Sequence, residues 1–168
     1  RYKACEYNIL PDKICCLGFS AGGILAGLAG TKFDAGDPDS EDPVERVSSR
    51  PDAVVQCYSA FSVAGIRGGG LGFSFKSQNG RSDYSPEKNI RGDCPPFFLW
   101  ETVSDDPRHI LNFGRELSDY GVPFELHIFP EADHGCGLAD GSDIHTPYFR
   151  STSRWSDMAC EFLENLKF

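Results

Sequence analysis

Three residue types that together can break an acyl bond stand at separate places in the chain. They are Ser20 within Gly18-Phe-Ser-Ala-Gly22, the acidic pair Asp105-Asp106, and His134 within Glu131-Ala-Asp-His-Gly135. A serine hydroxyl is a weak nucleophile until an imidazole takes its proton, and a carboxylate then fixes the imidazole tautomer and stabilises the imidazolium. Ser20 follows the apolar run Ile14 to Leu17 and precedes Ala21 to Gly30, which contains only Gly, Ala, Ile and Leu. G-x-S-x-G between a strand and a helix is the nucleophile-elbow spacing, a sharp turn that lifts the hydroxyl clear of a sheet edge. Its flanking glycines are expected where the turn is strained and neighbours come too close for a Cβ. A chain with 18 Gly produces that spacing by chance as well, so its surroundings must carry the weight. Two phosphate-cradling motifs fail on the same segment. The P-loop needs Lys and Ser/Thr where Ile24 and Leu25 follow Gly23, and the dinucleotide fingerprint needs Gly where Ser20 stands.

The elements that must position these residues follow from periodicity and breakers. Arg1 to Asn8 has roughly helical spacing, Pro11-Asp12 breaks it, and Ile14 to Leu17 reads as a short buried strand feeding a closely packed helix over Ala21 to Gly30. Thr31 to Asp52 reads as a solvated acidic loop. A calcium loop is the alternative, but Pro38 and Pro43 among its carboxylates and the absence of the EF-hand's glycine spacing weigh against it. Ala53 to Tyr58 is a second strand. Ser59 to Cys94 is Gly-rich and aperiodic, fitting a lid, a substrate-facing insertion or a plain excursion. Phe97 to Val103 is a third strand ending at Ser104-Asp105-Asp106-Pro107. Ile110, Phe113, Gly114 and Leu117 then mark an amphipathic helix stopped by Gly121, and Phe124 to Phe129 is a fourth strand ending near His134. Trp155, Met158, Ala159, Phe162, Leu163 and Leu166 form the apolar stripe of a last helix.

This alternation predicts an α/β fold, a mostly parallel sheet with helices on both faces, as one domain over 1–168. Ser20, the acidic pair and His134 then fall at the C-terminal ends of three strands, where open α/β sheets place their chemistry. The chain order Ser, acid, His is that of an α/β-hydrolase. Among the other histidines, His109 follows the acids too soon, His127 lies inside a strand and His145 sits in a polar tail. The residues themselves leave Asp105 and Asp106 both open as the acid.

Composition bounds the rest. With 40% hydrophobic and 24% charged residues and a net charge of −9, the chain is globular in type and repels nucleic-acid backbones and anionic membranes. No run of about 18 apolar residues exists, and Arg1 to Glu6 lacks a signal-peptide core, so a cytoplasmic setting is expected. Seven Cys without a C-x-x-C pair suggest reduced, buried thiols, with Cys15 and Cys16 pointing to opposite faces of their strand. Nothing calls for a metal or a nucleotide cofactor.

Several stretches carry a resemblance. Pro11-Asp-Lys-Ile14, Gly18-Phe-Ser-Ala-Gly-Gly23, Phe33-Asp-Ala-Gly-Asp-Pro-Asp39, Arg50-Pro-Asp52, Tyr84-Ser-Pro86, Pro95-Pro96 before Phe98-Leu-Trp100, Val122-Pro123 and His134-Gly135 with Gly137-Leu138 run along nearly the whole chain. In them the sequence resembles bacterial α/β-hydrolases of the acetylxylan esterase-like, carbohydrate esterase group. The resemblance implies a serine esterase that removes acetyl or other acyl groups from sugars. In that reading Ser20 is the nucleophile, Asp106 the triad acid with Asp105 the fallback, His134 the base, and the Ala21 N–H an oxyanion donor. A prolyl-peptidase-like serine peptidase and a non-catalytic domain with the hydrolase fold are the alternatives. Two departures stand out: Arg108-His-Ile-Leu-Asn112 replaces the group's usual Val-Pro-Val-Glu-Asn, and Glu101 stands where its members carry His. The group's first strands and its second oxyanion donor, from a His-Gly-Gly type segment, would precede Arg1. The expectation is therefore the C-terminal part of a longer hydrolase, lacking the N-terminal strands and completed by a further segment or by a second copy.

Overall fold

A computed structural model describes residues 1–59 and 83–168. The lid or insertion expected within Ser59 to Cys94 falls largely on 60–82, outside the described residues. Four strands, β1 (Cys15–Phe19), β2 (Ala53–Cys57), β3 (Phe97–Thr102) and β4 (Phe124–Phe129), form a wholly parallel sheet in the order β1-β2-β3-β4. Helices among the described residues include α1 (Ala4–Tyr7), α2 (Ala21–Thr31), α3 (Arg108–Asp119) and α4 (Trp155–Asn165). The first is one turn, shorter than Arg1 to Asn8, because Asn8 takes the left-handed conformation that ends it. β1 runs later than Ile14 to Leu17, because Gly18 and Phe19 continue the ladder against Gln56 and Cys57.

Strand alternation divides the side chains of the sheet between two cores. Val54, Phe97 and Leu99 meet Ala26 of α2 and Ile110, Phe113 and Leu117 of α3 on one face. Val55, Phe98 and Trp100 meet Trp155, Ala159 and Phe162 of α4 on the other. Cys16 packs toward the first core and Cys15 toward the second, as alternation requires. Full burial of such side chains is worth about 1.5–3 kcal/mol each.

The small residues of α2 explain its closeness to the sheet. A Cβ on Gly30 would stand 2.8 Å from both Phe97 and Val54, and one on Gly27 would collide with Gln56. Gln56, fully buried, donates from Nε2 to the Gly23 carbonyl at 2.5 Å. α3 carries the expected stripe of Ile110, Phe113, Gly114 and Leu117, with His109 buried beside it. It stops before Gly121, whose φ of 69° suits glycine. β2 and β3 are buried along their whole lengths, whereas β1 is an edge strand with Leu17 52% exposed.

All seven cysteines are free thiols. Burial holds for Cys57, Cys94 and Cys136, but Cys5 and Cys160 are exposed. Cys5 and Cys160 lie on the water-facing sides of α1 and α4, so an expectation of uniform burial fails there. Among the described residues, no helix is long and apolar enough to cross a membrane, and no cluster of three or more His, Cys, Asp or Glu is arranged to hold a metal ion.

Candidate active site

Ser20 occupies the single residue between β1 and α2, with φ 53° and ψ −123°. A side-chain-bearing residue held there costs of order 1–3 kcal/mol, so the surroundings must over-determine it. They do. The Ser20 N–H donates to the Cys57 carbonyl at 3.0 Å, and its own carbonyl accepts from Gly23 and Ile24 at 3.0 and 3.3 Å. A Cβ on Gly18 would overlap the Gly22 carbonyl, and one on Gly23 would overlap the Ser59 side chain. Gly22 differs, since a Cβ there meets nothing within 4 Å. The expectation that both flanking glycines avoid a Cβ clash therefore needs correcting. Gly18 must be glycine because the Gly22 backbone crosses it, and Gly22 itself has room.

From this elbow, a hydrogen-bonded relay runs through the ends of two further strands. Ser20 Oγ lies 2.7 Å from His134 Nε2, and His134 Nδ1 lies 2.9 Å from Asp105 Oδ1. An ionised carboxylate only accepts, so Nδ1 carries the proton and donates it to Asp105, leaving Nε2 to accept from the serine hydroxyl. The structure thus brings Ser20, His134 and Asp105 together.

It does not bring Asp106 to His134, which corrects the assignment implied by the resemblance. Asp106 instead accepts from Arg108 Nε at 2.6 Å, from the Arg108 Nη2 and from the Arg108 backbone N–H at 3.2 Å. Those hydrogen bonds hold its carboxyl down at about 2. The geometric reason lies in the turn. The Asp105 N–H closes onto the Thr102 carbonyl at 3.2 Å, and one residue later the chain has turned toward α3, sending Asp106 to the partner two residues ahead.

The supports of the relay were not visible in the sequence. Thr102 and Ser104 share a hydroxyl contact of 2.9 Å, and Ser104 Oγ donates to the Ala132 carbonyl at 2.9 Å, tying the acid turn to the histidine loop. Tyr58, just past β2, sets its ring edge-on against His134 at 5.3 Å between centroids, and its hydroxyl accepts from the Gly137 N–H at 3.2 Å. Trp155 of α4 donates to the Gly137 carbonyl at 3.1 Å and stacks on Trp100. Gly137 is held on both sides, and the loop carrying His134 is held with it. The one available signal was aromatic residues at strand ends, which does not say which of them touch.

The other histidines keep apart from the relay. His109 is buried in the first turn of α3, and burial lowers its pKa. His127 pairs with Glu125 at 2.7 Å, and His145 is exposed with its backbone N–H donating to Asp143. Glu101, where the resemblance expects His, is 2% exposed at the end of β3. Burial first, then the charges of Asp105 and Asp106, pushes its carboxyl up to about 9. Ala21 opens α2, so its N–H is among the first-turn donors that a helix leaves without internal acceptors, at the positive end of the helix dipole.

Two cavities bear on the chemistry. One of about 480 Å³ is lined by Arg1, Ile14, Asp34, Ser49 and Arg50, toward the start of β1 and away from the relay. The other, of about 270 Å³, has His134 in its wall. The second is smaller and shares only His134 with the relay, its remaining wall coming from the histidine loop and residues 143–149.

No family model matches the sequence. An endo-1,4-beta-xylanase B of Butyrivibrio fibrisolvens is 28% identical over 147 residues, covering 83% of this chain and 23% of that protein. Among solved structures, an acetyl ester-xyloside bifunctional hydrolase from Caldicellulosiruptor lactoaceticus superposes with a TM-score of 0.84 at 38% identity. The match covers 99% of this chain and 61% of that one. A sugar hydrolase from Lactococcus lactis follows with a TM-score of 0.75 at 30% identity, covering 98% of this chain and 62% of that one. This chain therefore spans less than two thirds of the length of these relatives. With its parallel sheet, its strained serine elbow and these likenesses, the chain has the α/β-hydrolase fold and is similar to these ester and sugar hydrolases.

Proposed function

We propose that the chain carries the catalytic residues of a serine esterase that cleaves acyl esters of carbohydrates, acetyl esters first among them. The observation that carries this reading is the continuous relay from Ser20 Oγ through His134 to Asp105 on three strand ends. Ser20 attacks the ester carbonyl while His134 Nε2 takes the hydroxyl proton, and Asp105 stabilises the imidazolium and fixes its orientation. The tetrahedral oxyanion falls at the N-terminus of α2, where the Ala21 N–H donates to it; one such donor is worth about 10²- to 10³-fold in rate. His134 returns the proton to the leaving alkoxide, and a water activated by the same imidazole hydrolyses the acyl-enzyme. The carbohydrate part of the proposal draws on the relatives, one an acetyl ester-xyloside hydrolase and one a sugar hydrolase. The assembled relay favours a catalytic role over a binding domain with the hydrolase fold.

Replacing Ser20 by alanine tests the reading. Turnover of a simple acetyl ester is expected to fall by about 10⁴-fold or more, and a fluorophosphonate probe is expected to label the parent chain at Ser20 alone. Retained turnover in the Ser20→Ala chain would sink it. Faster cleavage of an aminoacyl amide than of the acetyl ester would move the reading to a peptidase.

A further inference from the structure

In the acylation step the Ser20 Oγ to acyl-carbon bond forms, the bond from that carbon to the alcohol oxygen breaks, and the Ser20 proton passes through His134 Nε2 to the departing oxygen. The alcohol part of an ester must therefore lie against His134. On that side the chain after β4 does not return at once to α4. It folds into a loop closed on itself by the Asp140 to Tyr148 bridge and by the Phe149 N–H donating to the Ala139 carbonyl at 2.9 Å. Within it, Asp140 Oδ1 accepts from the Ser142 N–H at 3.0 Å and Asp143 Oδ1 from the His145 N–H at 2.9 Å, which fixes the backbone of the tip.

This loop and the His134 loop border a half-open cavity of about 270 Å³. Its size is just under the roughly 300–1,000 Å³ of sites for drug-sized ligands, which suits one small ring. The wall is mixed in a specific way. Asp143, His145 and Thr146 bring polar groups, while Pro147 and the half-buried Phe149 bring flat apolar surface. A pyranose presents both kinds of surface: hydroxyls around its rim and a C–H face that packs on rings. A bare alkyl alcohol would leave the polar side of this wall unused, and a long acyl chain would desolvate Asp143 without replacing its hydrogen bonds to water.

We propose that this cavity is the subsite for the alcohol part of the ester, and that it takes a single sugar ring held by Asp143 and His145 over Phe149. The proposal rests on the esterase reading and adds to it the side of the site, the residues and the chemical class of the leaving group. It assigns Asp143 and His145 to substrate choice, since neither belongs to the relay.

The test separates the subsite from the chemistry. Asp143→Asn keeps the oxygen that accepts the His145 N–H and removes the charge, and His145→Ala removes the ring from an exposed position, so neither is expected to unfold the chain. For an acetylated xylo-oligosaccharide, each variant is expected to lose about tenfold or more in kcat/KM, carried by KM, with 4-nitrophenyl acetate turnover within about twofold of the parent. Equal loss on both substrates, or no loss on the sugar ester, overturns the proposal. A second arm needs no turnover: Ser20→Ala is titrated with unacetylated xylobiose by calorimetry and by the His145 ring proton resonances. Saturable binding that weakens at least tenfold on adding Asp143→Asn supports the subsite, and no binding overturns it. If the parent hydrolyses no acetyl ester at all, the esterase reading fails, and this binding arm still decides the subsite.

Discussion

The turn after β1 and the turn after β3 each deliver one member of the relay, and the sequence specifies them in different ways. At the first, backbone sterics decide: Gly18 is crossed by the Gly22 carbonyl and Gly23 by Ser59, so the chain has essentially one path and Ser20 one position. At the second, two consecutive carboxylates of equal chemistry compete, and neither is excluded by space. Asp105 reaches His134 because the turn closes onto Thr102 before it, and Asp106 is drawn off by Arg108 after it. A steric motif can be read locally. A choice between two like side chains depends on the direction of a turn and on a partner further along the chain.

The largest expected effect separates the two carboxylates. Asp105→Asn replaces an anion that can only accept with an amide that can also donate to Nδ1, which permits the wrong His134 tautomer and leaves the imidazolium without its counter-charge; it is expected to lower kcat by about 10⁴-fold. Asp106→Asn removes only an exposed pair with Arg108 and is expected to change kcat by less than about threefold. Steady-state turnover of one acetyl ester by both variants is the measurement, and a comparable fall in Asp106→Asn would reverse the geometric assignment. The elbow offers the matching contrast. Gly18→Ala forces the crossing backbone apart, at about 1–3 kcal/mol or more in stability, and should displace Ser20 enough to suppress probe labelling. Gly22→Ala adds a methyl group in open space within a helix and is expected to stabilise by about 0.5–1 kcal/mol. Denaturant unfolding of the two variants gives the sign of each, and a destabilised Gly22→Ala would show that the elbow is tighter than its contacts indicate.

The same division runs through what the sequence made legible. Four strands and the three long helices α2, α3 and α4 were readable, because Phe97 to Trp100, the Ile110 to Leu117 stripe, the glycines of α2 and the Trp155, Ala159 and Phe162 stripe each state their burial locally. Ser20 and His134 were singled out by their chain order at strand ends, and the fold sets their side chains 2.7 Å apart. What escaped were the supporting contacts secured across the chain. Tyr58 meets Gly137 across 79 residues and Ser104 meets Ala132 across 28, and no local pattern announces either pair. Which of the two carboxylates reaches His134 escaped for the same reason, and so did the exposure of Cys5 and Cys160, which depends on the side of a helix facing water.

Glu101 gives the finest test of the comparison, because it lies beneath the turn where carboxylates crowd. Two percent exposed, with Oε2 lacking a hydrogen-bond partner among the described residues, it faces the charges of Asp105 and Asp106 from the turn, and only the Ile110 N–H of α3 acts in the opposite direction. Its carboxyl is raised from 4.5 to about 9, so at neutral pH the folded chain keeps a proton there that the unfolded chain has released. Stability contributed by this proton is complete below about pH 4.5, falls as pH rises, and is exhausted above about pH 9. Glu101→Gln keeps the shape and an acceptor for Ile110 while removing the titration. Its Tm should therefore decline less between pH 5 and 8 than that of the parent, the other titrating groups being common to both chains. Parallel Tm curves would mean that Glu101 is ionised in the fold. Three carboxylates would then share one turn, and the separation of Asp105 from Asp106 would need a further cation to hold it.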